Sequence, residues 1–114
     1  MIILNTTGDT IQAQASAATS ITITLYGLEQ TAAGNTYKKL GQAQISNASP
    51  TTLYTLPAST TAVISQLIAV NVNGSKRTFD LWHVPSGGSS GDTNILLDDM
   101  ELTSKQTWIW GKEG

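Results

Sequence analysis

An all-β fold, an antiparallel β-sandwich of jelly-roll-like or Ig-like type with no substantial helix, is predicted by three observations. Strand-like segments with alternating or β-branched apolar residues recur at short intervals along the chain. Clusters of Gly, Asn, Ser and Pro separate them. No stretch carries the apolar period of an amphipathic helix.

Ser20 to Gly27 is the clearest strand: Ile21, Ile23 and Leu25 fall on one side, Thr22, Thr24 and Tyr26 on the other. Asp9 to Gln14 alternates more weakly, with Ile11 and Ala13 against Thr10, Gln12 and Gln14. Ala15 to Thr19 is the one place where helix propensity competes, and it is too short to hold a helix alone. Thr36 to Ile45 reads as a strand in which Gly41 marks a bulge or break. Thr52 to Leu56 ends at Pro57, which cannot donate to a ladder.

Thr60 to Val72 is a long β-branched run, with Val63, Leu67 and Ala69 on one face and Ile64, Ile68, Val70 and Val72 on the other. Two apolar faces predict a central strand covered on both sides, one of them by another subunit. Asn73-Gly74 then predicts a hairpin tip, with Lys76 to Val84 returning as the partner strand. Pro85 to Asp92 is a flexible loop, and Asn94–Leu97 and Gln106–Trp110 complete the strands.

With 114 residues the chain has room for one domain, residues 1–114. Residues 46–50 mark a hinge between an N-terminal meander and the C-terminal strands, but neither half offers enough core to stand alone. Hydrophobic residues reach 39%, while charged residues are only 12%, about half the usual share. A net charge of -2 argues against a broad basic surface for nucleic acid. Without cysteine there is no disulfide framework, thiolate metal set or thiol nucleophile. Met1 to Leu4 is followed at once by polar residues, so it is no signal-peptide core, and the longest apolar run falls short of a membrane span. The expectation is a protein that folds where it is made.

Few side chains suggest chemistry. His83, the single histidine, has no second ligand or nucleophile partner in sequence and reads as a strand residue with structural contacts. The Pro85–Asp92 loop is glycine-rich but lacks the lysine of a phosphate cradle. Asp92, Asp98, Asp99 and Glu101 are the acidic cluster; they could hold calcium, but lack EF-hand spacing and read as solvated turn acids. Lys38-Lys39 and Lys76-Arg77 read as solubilising edge charges. Trp108 and Trp110 lie on one side of a strand, and Trp82 is expected to join them. Such a set serves a core or subunit interface, which a small domain with one Phe needs; stacking on glycan is the alternative. No cofactor and no metal is expected, and no nucleophile–base pair marks an enzyme.

The runs Leu53-Tyr54-Thr55-Leu56-Pro57-Ala58, Thr61 to Ile68 and Asn71-Val72-Asn73-Gly74-Ser75 form a distinctive series. Phe79-Asp80-Leu81-Trp82 and Val84-Pro85-Ser86-Gly87-Gly88 continue it. The series resembles small β-sandwich virion proteins of tailed bacteriophages, in which a TLYTVPAG-like opening precedes a long strand and a VPSGGS-like loop. Leu4 to Gln12 is similar to the N-termini of some phage structural proteins. The resemblance covers about two-thirds of the chain, on ordinary strand and turn residues. Ser59-Thr60 stand where the pattern has a Gly, which leaves that turn's type open.

The resemblance implies a non-enzymatic structural component of a phage virion, made in the host cytoplasm. A capsid decoration or cement protein is the first placement; a tail, neck or baseplate accessory, or a host-glycan adsorption module, is the alternative. It implies a homo-oligomer, a trimer, docking on the major capsid protein or on tail or neck proteins, with Trp82, Trp108 and Trp110 near the contact.

Overall fold

Nine strands follow one another in the computed structural model, which describes residues 1–111. They are β1 (Ile2–Leu4), β2 (Thr10–Ala15), β3 (Ile21–Thr31), β4 (Gly34–Gln44), β5 (Thr51–Thr55), β6 (Thr61–Asn71), β7 (Arg77–Val84), β8 (Ile95–Leu102) and β9 (Thr107–Gly111). Sheet I has the order β1-β6-β3-β4, with β9 beside β6 on the same edge as β1 but further along it. Sheet II has the order β5-β2-β7-β8. Every pairing is antiparallel, so the chain is an all-β sandwich, as the alternating pattern predicts. Strands from both sides of residues 46–50 enter each sheet, and that segment carries the chain from sheet I to sheet II.

One cluster of apolar side chains fills the space between the sheets. Leu4, Ile21, Ile23, Leu25, Ile64 and Leu67 come from sheet I, and Ile11, Ala13, Phe79, Leu81 and Leu102 from sheet II. The alternation of β2 and β3 delivers its apolar set to this cluster as the sequence predicts.

The long β6 run departs from simple alternation. Ile64 pairs with Gly27 and Gln66 with Tyr26, so Ser65 is an extra residue without a partner on β3. This bulge changes the phase of the strand. Ala62, Ile64, Leu67 and Ala69 all face the core, while Val63, Ile68 and Val70 face out, which corrects the face assignment expected from strict period two. The backbone approach there is close: a Cβ on Gly27 would lie 2.0 Å from the Val63 carbonyl oxygen, and one on Gly111 2.0 Å from that of Ser65.

Asn73-Gly74 is not a hairpin tip. β6 belongs to sheet I and β7 to sheet II, so the turn is a crossing between sheets. A two-residue hairpin turn of the favoured type needs positive φ at both residues, and neither Asn73 nor Gly74 has it. Side chains hold the crossing instead. The Asn73 N–H donates to Asn71 Oδ1 (2.9 Å) and the Ser75 N–H to Asn73 Oδ1 (3.0 Å).

The long hairpin is β3–β4, turned by Ala32-Ala33 with Gly34 at φ +129°. β3 runs past Gly27 through Leu28-Glu29-Gln30-Thr31, and β4 starts at Gly34, ahead of the strands expected from the sequence. Residues 30–39 are exposed, so the paired ends form an arm that leaves the sandwich. The irregularity expected at Gly41 is present: Leu25 pairs Gly41 and Tyr26 pairs Lys39, leaving Leu40 as the extra residue. A Cβ on Gly41 would lie 2.0 Å from the Leu53 carbonyl oxygen, so β4 lies directly against β5 of the other sheet.

Candidate functional site

Trp108 and Trp110 pair with Ala69 and Leu67, both core-facing, and therefore point inward from β9. Both are half-buried at the rim of the core, and the Trp108 ring lies 6.4 Å from that of Phe79 at 54°. With Met1, Ile2, Leu67, Leu81, Leu96 and Leu97 they line a cleft of about 270 Å³ between the β1/β9 edge of sheet I and β8 of sheet II. All eight lining residues are apolar. A sugar needs hydrogen-bond partners as well as a stacking ring, and these side chains offer only the indole N–H groups.

Trp82 does not join this pair. It is 7% exposed, and β7 alternation sets it on the opposite face from Phe79 and Leu81, across from Gln12 of β2 and Ile95 of β8. Trp82 and Val84 are buried yet lie outside the central apolar cluster. Sequence spacing relates residues within one strand, but only the sheet pairing relates β7 to β9.

The outer face of sheet I carries a feature that the aromatic count did not reveal. Ile3 pairs Val63, Val63 pairs Leu28 and Leu28 pairs Tyr37, so one row of four apolar side chains crosses all of β1, β6, β3 and β4. Ile109 and Ile68 form a second pair on the same face. Ile3 is 51% exposed, Ile109 47% and Tyr37 80%. The apolar outward positions of β6 were the available signal, although the bulge changed which residues occupy them.

The acidic residues are placed differently from expectation. Asp98 and Asp99 lie within β8, not in a turn, at an irregular register opposite Asp80 of β7. Carboxylate oxygens of Asp80, Asp98 and Asp99 come within 4.8 Å of one another, and Asp80 Oδ1 accepts the Asp99 N–H at 2.7 Å. Local desolvation, together with the Asp99, Asp80 and Asp92 carboxylates, raises Asp98 above the ordinary carboxylate value. Glu101 stands apart from this group, with its Oε2 3.6 Å from Lys76 Nζ. Asp80 could be placed in the cluster only after the β7–β8 pairing was known.

His83 lies with its Nε2 3.7 Å from Asp9 Oδ2, and Asp9 Oδ1 accepts the Ser86 N–H at 3.0 Å. This contact ties the start of β2 to the end of β7. The Pro85–Asp92 loop is held by Asn94, whose Oδ1 accepts the Gly91 N–H and whose Nδ2 donates to the Ser89 carbonyl.

A polar contact missed in the sequence joins the sheets under the arm. The Tyr54 hydroxyl donates to Glu29 Oε2 at 2.5 Å, and Lys38 Nζ lies 3.1 Å from Glu29 Oε1. The tyrosine hydrogen bond holds Glu29 below its ordinary value, against burial and with help from Lys38. Burial and the Glu29 carboxylate push Tyr54 well above the usual phenol range. No family model, curated protein or solved structure matches this chain.

Proposed function

We propose that this chain is a non-enzymatic structural component of a tailed-phage virion, of the capsid decoration or cement type. The observation that carries the proposal is the outer face of sheet I. An apolar row crosses four strands there, and Ile3, Ile109 and Tyr37 are substantially exposed. Contiguous exposed apolar surface of this kind marks a protein-contact site. The low charge of the chain suits close lattice contacts, because few ions need desolvation and little like-charge repulsion accumulates. Small symmetric contacts repeated across a lattice turn modest affinity into high avidity. The resemblance in sequence supplies the virion context and the trimer.

The test is occupancy on purified particles, read by mass spectrometry. A copy number that scales with the capsid lattice supports decoration; one small ring per particle would transfer the protein to the tail, neck or baseplate. Ile109→Lys, at an exposed position, should leave the sandwich folded and empty the particle of this protein. Unchanged occupancy of that variant would overturn docking through this face.

A further inference from the structure

Of the six asparagines in the chain, Asn73 alone precedes a glycine. The crossing between the sheets anchors the Asn73 backbone on both sides. Its N–H donates to Asn71 Oδ1 at 2.9 Å, and its carbonyl accepts the Lys105 N–H at 3.3 Å. Its side-chain carbonyl oxygen, Oδ1, accepts the Ser75 N–H at 3.0 Å. Two groups are left free: among the described residues, no hydrogen bond uses Asn73 Nδ2 or the Gly74 N–H. Gly74 is exposed, and a Cβ built on it would meet no atom within 4 Å.

These are the groups that an acyl transfer within the chain needs. The Gly74 nitrogen belongs to the peptide bond next to Asn73, so its attack on Asn73 Cγ is unimolecular, and it has no hydrogen bond to give up. The Ser75 N–H polarises the side-chain carbonyl and faces the oxygen on which negative charge develops when Cγ is attacked. Nδ2, the leaving group, is held by nothing. Asn71, two residues earlier, shows the opposite arrangement. It is fully buried, its Nδ2 donates to the Ser75, Leu102 and Thr103 carbonyls, and the β-branched Val72 follows it. Asn94 precedes Ile95, and both its side-chain polar atoms are bonded.

We propose that Asn73 is a self-modification site, at which the folded chain converts a side-chain amide to a carboxylate. A solvent base takes the Gly74 N–H proton and the nitrogen attacks Asn73 Cγ. The new C–N bond closes a cyclic imide, and Nδ2 takes up a proton and leaves as ammonia. Water then opens the imide by breaking one of its two carbonyl C–N bonds. Breaking the bond to the former side-chain carbonyl gives aspartate; breaking the bond to the main-chain carbonyl gives isoaspartate. One water is consumed and one ammonia released, with nothing oxidised or reduced. Either product adds one negative charge to the formal net charge of -2. Aspartate still offers the Ser75 N–H an oxygen, so that product keeps the crossing. Isoaspartate lengthens the main chain at the Lys105 contact, just ahead of β9.

The test is peptide mapping of the full chain by mass spectrometry during incubation in neutral buffer, beside the same chain unfolded in guanidinium. In the folded chain Asn73 should gain one mass unit ahead of the other asparagines, at a rate comparable with that in the unfolded chain. Asn71 should react only after unfolding. Gly74→Ala has open space and needs no positive φ, so it should stay folded. It should slow the conversion at least tenfold, a barrier increase of about 1.4 kcal/mol, because the added methyl hinders the approach of the nitrogen. Asn73→Asp should elute from an anion exchanger with the aspartate fraction of the aged wild type. An Asn73 that stays intact in the folded chain while it converts in guanidinium overturns the proposal. So does a Gly74→Ala chain that converts as fast as wild type.

Discussion

Tyr54 and Glu29 show how one pair of side chains joins the two sheets. Their hydrogen bond spans β5 of sheet II and β3 of sheet I at the root of the arm, and the Glu29 side chain is 16% exposed. A hydrogen bond to a charged group contributes about 1.5–3 kcal/mol, so Tyr54→Phe should cost about 2 kcal/mol at neutral pH. Glu29 is held below its ordinary value of 4.5, so this stability is present above that pH and is lost as pH falls through the lowered value. Urea unfolding of wild type and Tyr54→Phe should therefore show a full gap at neutral pH and a narrowing gap in acid. Ser59 makes a second case. It adopts φ +54°, the left-handed region that suits glycine. Ser59→Gly should raise stability by about 0.5–1 kcal/mol, because the strain relieved exceeds the added unfolded-state entropy. Thermal unfolding checks the sign.

At the scale of elements, bulges decide where side chains go. Ser65 in β6 and Leu40 in β4 each add a residue to one strand, bend it and shift the phase of the residues beyond the bulge. At Gly41 the bent strand meets the Leu53 carbonyl so closely that any Cβ must displace backbone. Gly41→Ala should cost about 2–3 kcal/mol, the upper range for overpacking, and denaturant melts would read it directly. Alternation in β2 and β3 was legible because neither core-facing set is interrupted. The arm was not legible. Its residues face solvent on both sides, so Gln30 to Thr36 carry no apolar period to mark a strand. The hairpin expected at Asn73-Gly74 failed for a related reason. A turn motif acts locally, whereas Asn71 engages four backbone groups at the crossing, donating to Ser75, Leu102 and Thr103 and accepting from Asn73.

At the scale of the whole molecule, apolar side chains are buried between the sheets, and a further apolar row lies on the outer face of sheet I. If the protein docks as proposed, through the outer face of sheet I, that docking should depend weakly on salt, because apolar burial is not screened. Particle occupancy measured across a salt series should stay nearly level up to about 0.5 M, where the Debye length has shrunk to a few ångströms. A steep fall would mean that ion pairs hold the protein on its partner. The sequence by itself determined the all-β class, the core-facing residues of β2 and β3, and the common side of Trp108 and Trp110. Those features arise from periods within one strand. Tertiary structure alone decided that Trp82 faces away from the other tryptophans, that Asp80 joins Asp98 and Asp99, and that Ile3, Val63, Leu28 and Tyr37 form one row. Each of these depends on which strands pair and in what register, and pairing is set by packing between residues far apart in the chain.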